Sequence, residues 1–359
     1  MIDIRAIRIT WWLGSLLMLL LTVACASDSE TDLRQQGSQL RLAGVTRADG
    51  DAERINEGNI RLFIAKAGTD NPASGSFTNN DAKDGWVNQG LSVDENTQYY
   101  MYGFMPAKLG NADIACGISA ADGDYAKGAN LTFTGLPVFT DQDICVVVGV
   151  RRVTGSTDKT KADEGSYGYL SGASNENYLN LLMDHLYAKL ELSFNVESKY
   201  DELRKIHLKE VSLKSTYGAS VSATVNLRSG LGLANHVSFG AFTSSAEVTT
   251  KPYVYQAGEA VTYLPVATTG TAAKALTPVF CAPCIFNADG TYLSIESKYD
   301  VYDRKGNLIR QDCTASNKVK LTGVVSGAHK KLTLTVAPSY LYVLSDPDLD
   351  NPTVKVISD

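Results

Sequence analysis

The chain has 359 residues, of which 44% are apolar and 20% are charged, and its formal net charge at pH 7 is −6. This balance is typical of a globular protein and excludes both a disordered chain and a protein made of membrane-spanning helices. The acidic charge and the lack of a long basic run also exclude nucleic-acid binding, which depends on basic patches.

Residues 1–24 have the three parts of a secretory signal peptide: positive charge near the N-terminus, an apolar run over residues 11–23, and small Ala24 before the predicted cut. The apolar run is too short to span a bilayer core of roughly 30 Å. Cys25 follows the cut and resembles the lipobox cysteine of bacterial lipoproteins, although Thr22 stands where leucine is usual. We therefore expect the Cys25 thiol to carry a lipid that anchors the precursor outside the cytoplasm. The alternative is an ordinary signal peptide in which this cysteine has no role.

The next segment, residues 26–58, is polar and carries one apolar patch at residues 40–45, which predicts a tether with a short strand. Strand-like runs separated by turn-rich breaks follow it. They occupy residues 59–64, 86–91, 98–104, 130–133 and 144–153. From about residue 154 to 184 the composition is loop-like, which places the predicted domain boundary at 184/185.

A second series of strands begins at residues 188–196, where apolar and polar residues alternate as in a half-buried strand. Residues 206–213 resemble it, with a bulge-like slip near Glu210, and residues 303–307 read as a hairpin turn. Further strands are predicted at residues 219–225, 253–255, 260–266, 292–302, 318–321 and 332–336. The pattern predicts an all-β chain with two tandem antiparallel β-sandwich domains at 48–184 and 185–338. They lie between a lipidated tether at 25–47 and a tail at 339–359.

Few residues have the spacing that chemistry requires. No histidine has ligand spacing to another histidine or to a cysteine; the four are His185, His207, His236 and His329. The sequence therefore predicts a protein that is not an enzyme and that holds no metal and no cofactor.

The cysteines do not form a recognisable framework either. An odd number remains beyond Cys25, so a small disulfide scaffold is not indicated. The pairs Cys116–Cys145 and Cys284–Cys313 both stay open. Cys281 and Cys284 form a Cys-x-x-Cys pair, but short β runs surround it rather than the βαβ setting of a redox motif, and a zinc site would need a second pair.

The C-terminal end contains two β segments joined by the polar break 345–352. Such a free end makes a movable strand, which can pair with its own sheet or with an exposed edge of another molecule. The residues expected to make these contacts are Tyr340, Tyr342, Leu344, Val354 and Val356.

The N-terminal tether contains a junction, Arg47-Ala48, that is open to an arginine-specific protease, and Arg54 is the second candidate for the cut. If residues 39–46 form a strand of the first sandwich, a cut after Arg47 would release that strand. The groove left behind would have unpaired backbone groups and an apolar floor. A C-terminal segment from a neighbouring molecule could fill this groove, and repetition of that head-to-tail contact builds a filament.

This combination of features resembles the fimbrillin proteins of Bacteroidales. The residues that carry the resemblance are Cys25 with its acidic follower 27–30, the Arg47-Ala48 junction, and the runs 99–107, 185–190 and 340–348. Membership would imply two transthyretin-like Greek-key sandwiches, a precursor anchored to the outer membrane, and maturation by an arginine-specific protease. It would also imply assembly with other pilus subunits into an extracellular fimbrium that adheres to a host or bacterial receptor.

Two alternatives stay open at this point. The subunit could belong to the shaft of the fimbrium, or to its tip or anchor. A different class is a monomeric outer-membrane lipoprotein that binds glycans, in which Trp86 or the many tyrosines would stack on sugar rings.

Overall fold

The structure is a computed structural model that describes residues 38–47, 55–66, 71–79, 85–94, 97–152, 168–170, 178–215, 217–228, 236–242, 247–268, 272–286, 293–340 and 347–358. Strands hold 65% of these residues and helices 6%, which confirms the predicted all-β class. The only described helices are α1 (Ser198–Asp201) and 3₁₀ turns at Ala121–Gly123, Tyr125–Lys127 and Pro283–Phe286. None of them is long and apolar enough to cross a membrane.

The first sheet has eight strands. Its order is β2 (Arg41–Arg47), β15 (Tyr178–His185), β13 (Cys145–Arg152), β7 (Gln98–Met105), β3 (Gly58–Lys66), β4 (Ala73–Asn79) and β5 (Val87–Gln89), and β14 (Gly168–Leu170) also pairs with β7. All of these pairs are antiparallel except β2 with β15, which is parallel. The N-terminal strand β2 is therefore an edge strand.

Three further large sheets build the rest of the described chain. One contains β10 (Ala115–Ala120), β11 (Ala129–Pro137), β18 (Ser220–Leu227) and β19 (Val237–Phe242). Another contains β12 (Phe139–Thr140), β22 (Val279–Cys281), β16 (Ala188–Val196), β25 (His329–Tyr340) and β26 (Pro347–Ser358), with β21 (Lys274–Ala275) beside β16. The last contains β20 (Val248–Val254), β17 (Lys205–Ser215), β23 (Leu293–Tyr302) and β24 (Leu308–Val319). Two short pairs complete the set: β1 (Ser38–Gln39) with β6 (Ser92–Val93), and β8 (Lys108–Leu109) with β9 (Ala112–Asp113).

Two hydrophobic cores lie on opposite faces of the first sheet. Along β3, Leu62 and Ile64 pack into a core made only of residues 40–183, which we call the N-terminal core. Phe63 and Ala65 face the other way, into a main core that extends to Val354. A strand covered on both faces needs apolar residues at successive positions, which is why β3 reads as a continuous apolar run rather than an alternating one.

Strands from the two halves of the chain share sheets. β11 pairs with β18 from Ala129↔Leu227 to Pro137↔Ser220, and β12 pairs with β22 through Phe139↔Cys281. The division at 184/185 stays a prediction from composition, and the described sheets run across it.

Of three local predictions for the second half of the chain, two are confirmed and one is wrong. The ladder between β17 and β23 slips between Leu208 and Glu210, as the sequence pattern predicts. The hairpin turn is also confirmed, because the Asp303 backbone N–H donates to the Asn307 carbonyl at 2.9 Å between β23 and β24. The predicted strand at 260–266 is wrong: within it only Val266 pairs, in a single bridge to Val196. Its other backbone contacts are single hydrogen bonds, such as the one from the Leu264 N–H to the Ile206 carbonyl at 2.8 Å.

Candidate functional site

The N-terminal strand β2 is held mainly by its apolar side chains. Leu40, just before the strand, and Val45 have no exposed surface, and Leu42 is 7% exposed. All three belong to the N-terminal core, where they meet residues of β15 such as Leu179 and Leu181. The short strand-like patch predicted at residues 40–45 is thus a buried part of the first sheet.

The burial of these three side chains contributes substantially to the free energy of unfolding. Full burial of a leucine or valine contributes about 1.5–3 kcal/mol, so the three together contribute about 5–9 kcal/mol. This range is comparable with the whole free energy of unfolding of an ordinary domain, about 5–15 kcal/mol. Removal of β2 without a replacement would therefore leave the first sheet poorly stable.

Backbone contacts complete the docking of β2. The Asn88 side-chain amide donates to the Leu40 carbonyl at 2.9 Å, and the Ile55 backbone N–H donates to the Val45 carbonyl at 2.8 Å. The ladder with β15 slips by one residue between Leu42 and Gly44. At that slip Gly44 faces Asn180, whose oxygen lies 3.0 Å from the position a β-carbon would take.

Beside this slip, the pairing of β2 with β15 leaves a buried polar side chain, Asn180. Asn180 is 5% exposed, and among the described residues neither polar atom of its side chain has a hydrogen-bond partner. A buried amide without partners costs free energy. The pairing of β2 with β15 is therefore tight at the apolar positions and unfavourable at this polar one.

The C-terminal strand β26 is the edge strand of another sheet. It pairs antiparallel with β25 from Leu332↔Ser358 to Ala337↔Thr353 and again from Ser339↔Asp348 to Tyr340↔Pro347, with an irregularity between the two stretches. Of its side chains, Val354 is 4% exposed in the main core and Val356 is half-buried. The tail in this structure therefore lies on its own sheet, which is one of the two positions that the sequence allows.

Side-chain contacts add to the docking of the tail. The Tyr299 hydroxyl donates to the Pro352 carbonyl at 3.0 Å, and the Asn317 amide donates to the Val354 carbonyl at 2.6 Å. On the opposite face Lys355 and Ile357 point to solvent, and Ile357 is 59% exposed. Of the tail side chains whose burial is described, at residues 352–357, Pro352 and Val354 are buried.

The predicted site residues fall at different places relative to the described chain. Cys25, Ala48, Arg54, Tyr342 and Leu344 lie outside the described residues. Arg47 is the last residue of β2 and pairs with Met183, Tyr340 is the last residue of β25, and Val354 and Val356 lie in β26. The strand before the predicted cut and the predicted donor strand are both edge strands, in two different sheets.

The thiols in the described residues do not form a reactive centre. None of the described cysteines is in a disulfide, so neither of the pairs left open by the sequence is present; they are Cys116, Cys145, Cys281, Cys284 and Cys313. Burial raises the pKa of the Cys284 thiol to about 11 and raises that of Cys281 further. A raised thiol pKa opposes disulfide exchange, because the thiolate is the reactive form.

Trp86 does not form an exposed platform for sugars. Its side chain is half-buried and packs against the N-terminal core. Tyr263 is more open, at 39% exposed, and its ring lies 5.5 Å from that of Tyr302.

The sequence did not reveal one cluster of polar side chains. Asp143, Cys145 and His185 come together at one end of the N-terminal core, although 40 residues separate the cysteine from the histidine. Their nearness follows from the register of β13 and β15, which pairs Cys145 with His185 directly. The only local signal is the Asp-x-Cys spacing at residues 143–145.

No family model and no curated protein matches the sequence. Solved structures do resemble the fold. One is a fimbrial protein from Bacteroides vulgatus ATCC 8482, with 13% identity, a TM-score of 0.47 and coverage of 89% of this chain and 99% of that one. Another is the fimbrial anchor protein Mfa2 from Porphyromonas gingivalis, with 11% identity, a TM-score of 0.29 and coverage of 88% and 96%. Both are fimbrial proteins by their descriptions.

Proposed function

We propose that this chain is a structural subunit of an extracellular fimbrium that contributes to adhesion. Its precursor is held at the outer membrane by a lipid on Cys25. A cut after Arg47 by an arginine-specific protease discards the lipid and β2 together. The C-terminal tail of another subunit then enters the vacated site beside β15, and repetition of this contact builds the filament.

The observation that supports this proposal most is the position of β2. It is an edge strand with its apolar side chains in the N-terminal core, and it ends at Arg47. A cut at that point separates the strand covalently from the sheet that it completes. The open edge of β15 and the apolar floor would then select a replacement strand, because both are costly to leave in water.

The tail supplies a strand of suitable character. Val354 and Val356 lie on one face of β26 and Lys355 and Ile357 on the other, so one apolar face is available for a groove. Within residues 352–357, leaving its own sheet costs the tail the burial of Pro352 and Val354, and full burial of a valine contributes about 1.5–3 kcal/mol. The site left by β2 would offer the tail the apolar residues of the N-terminal core.

The cut site is tested by comparing Arg47→Ala with Arg54→Ala. We expect Arg47→Ala to block maturation, so that the protein taken from cells keeps its lipid and forms no SDS-resistant ladder. Arg54→Ala is the matched control and should mature normally, with Ala48 as its N-terminal residue. Normal polymers from Arg47→Ala, or an N-terminus at residue 55 in the wild type, would contradict the assignment of Arg47.

The glycan-binding alternative makes the opposite forecast. A monomeric lipoprotein would keep Cys25 acylated, would never be cut in the tether, and would bind oligosaccharides saturably. Size-exclusion chromatography of the protease-treated chain, with and without an oligosaccharide mixture, separates the two functions.

A further inference from the structure

We propose that Asp143, Cys145 and His185 bind a divalent transition metal of the zinc class. The His185 Nδ1 atom lies 2.7 Å from an Asp143 carboxylate oxygen and 3.6 Å from the Cys145 sulfur. One donor atom from each residue lies within 4.8 Å of the other two. The three donors therefore converge on one small volume.

The donors are also buried. Cys145 has no exposed surface, Asp143 is 8% exposed, and the His185 side chain is 12% exposed. Groups that ionise are rarely placed together in an interior unless they pair or coordinate a metal. A thiolate, an imidazole and a carboxylate are also the three ligand types that Zn²⁺ prefers.

The distances fit such an ion with one adjustment. Zinc bonds of about 2.3 Å to sulfur and about 2.05 Å to nitrogen, set at a tetrahedral angle, place the two ligand atoms about 3.6 Å apart. The sulfur–nitrogen distance already has this value. The carboxylate is closer to the imidazole than two ligands of one ion would be, as expected when a proton joins them. A metal ion would take the place of the Nδ1 hydrogen, which the neutral imidazole would carry on Nε2 instead, and the thiol proton would be released to solvent.

The backbone holds the site in a fixed geometry. Cys145 is the first residue of β13 and His185 the last of β15, and they are direct partners in the ladder. The Leu186 backbone N–H donates to the Ile144 carbonyl at 2.7 Å and joins the two strands again beside the site. Three protein ligands leave a fourth position for water, and the exposed part of His185 marks the side from which it would enter.

The test is metal uptake by the full chain, purified without a histidine tag and treated with a chelator. After dialysis against Co²⁺ or Zn²⁺ we expect one ion per chain, and the Co²⁺ form should show a thiolate-to-cobalt charge-transfer band. Cys145→Ser should abolish that band. Cys145→Ser, Asp143→Asn and His185→Gln should each weaken metal binding by at least about 10–100-fold, the cost already known for loss of an outer-shell partner.

Two controls separate the site from incidental binding. His329→Gln removes another histidine that faces a carboxylate, Glu191 at 3.0 Å, and Cys284→Ser removes a thiol elsewhere. Both variants should bind the metal as the wild type does. The proposal is overturned if the wild type takes up no stoichiometric ion, or if the cobalt band survives Cys145→Ser. The wild-type result decides even if a variant fails to fold.

Discussion

Leu42 lies inside the N-terminal strand with 7% of its surface exposed, in contact with the N-terminal core. We predict that Leu42→Ala lowers the free energy of unfolding of the uncleaved chain by about 2–5 kcal/mol, because truncation of a buried leucine loses transfer energy and leaves a cavity. Denaturant titration measures this loss. After cleavage at Arg47 the same substitution should have no effect, because the altered residue has left with β2.

A matched control for this substitution exists in the same sheet. Val87 is 53% exposed at the opposite edge, in β5, and Val87→Ala should change the free energy of unfolding by no more than about 0.5 kcal/mol. An equal effect of the two substitutions would mean that β2 is not docked as described.

The Cys284 thiol is predicted to react slowly with alkylating reagents. Burial raises its pKa from the ordinary 9.0 to about 11, so at pH 8 its thiolate fraction is roughly 100-fold below that of an unperturbed cysteine. We expect its alkylation, followed by mass spectrometry of the Cys284 peptide, to accelerate with pH up to about 11. Unfolding in denaturant should restore the ordinary rate. Fast labelling at pH 8 in the folded chain would contradict this burial.

At the residue scale, the burial of a side chain can be predicted from the sequence where it depends on the alternation within one strand. The alternation over Leu190, Leu192, Phe194 and Val196 predicts their burial, and all four are at most 1% exposed. It fails where two strands meet. The nearness of Cys145 and His185 depends on the register between β13 and β15, which spacing along the chain does not encode.

At the scale of elements, the role proposed for the tail β26 can be tested by deleting part of it. We predict that deletion of residues 353–359 leaves a folded monomer that is cut after Arg47 but does not polymerise. The folded state should survive, because the main core loses one fully buried side chain, Val354. Circular dichroism checks the fold, and SDS-resistant ladders on a gel report polymerisation. Ladders from the deletion variant would contradict the role of the tail.

Point substitutions in the tail refine this forecast. Val354→Asp should block polymerisation, because its side chain lies on the apolar face. Ile357→Asp is the matched control, because Ile357 is 59% exposed on the other face, and it should polymerise as the wild type does.

The start of the tail strand could not be predicted from residue preferences. Proline and aspartate predicted a break at residues 345–352, whereas β26 begins at Pro347. An edge strand needs hydrogen bonds on one side only, so it tolerates prolines that a central strand would exclude. The pairing Tyr340↔Pro347 is an example.

At the scale of the whole molecule, the domain boundary predicted at 184/185 can be tested by comparing the unfolding of a fragment with that of the longer chain. We predict that residues 185–359, expressed alone, will show no cooperative unfolding transition, whereas residues 26–359 will. The fragment lacks β11, the sheet partner of β18, and it also lacks Phe104 and Phe133, whose rings pack in the main core 5.1 Å apart. Thermal melting followed by circular dichroism measures both chains, and a sharp transition in the fragment would support independent domains.

The loop-like composition at 154–184 explains why a boundary is predicted there. A loop-like composition shows only that strand-forming residues are few in a segment. A domain boundary is one of several reasons for such a segment. The β11–β18 pairing joins residues that are far apart in the chain: Ala129 pairs with Leu227, and 227 − 129 = 98. Such long-range pairings leave no periodic trace in a single sequence. The all-β class needs only local alternation and could therefore be predicted; the sharing of sheets could not.

The parallel pairing of β2 with β15 also affects the order in which the strands fold. Arg41 pairs with Tyr178, so β2 is synthesised more than 130 residues before its partner. Closing so large a loop is slow, and we expect β2 to dock last, after the rest of the first sheet has formed. Substitutions such as Leu42→Ala would then speed unfolding and leave the folding rate almost unchanged. Under the proposed mechanism, a protease that removes β2 would return the folded protein to the state before its final folding step, and the tail of another subunit would complete that step.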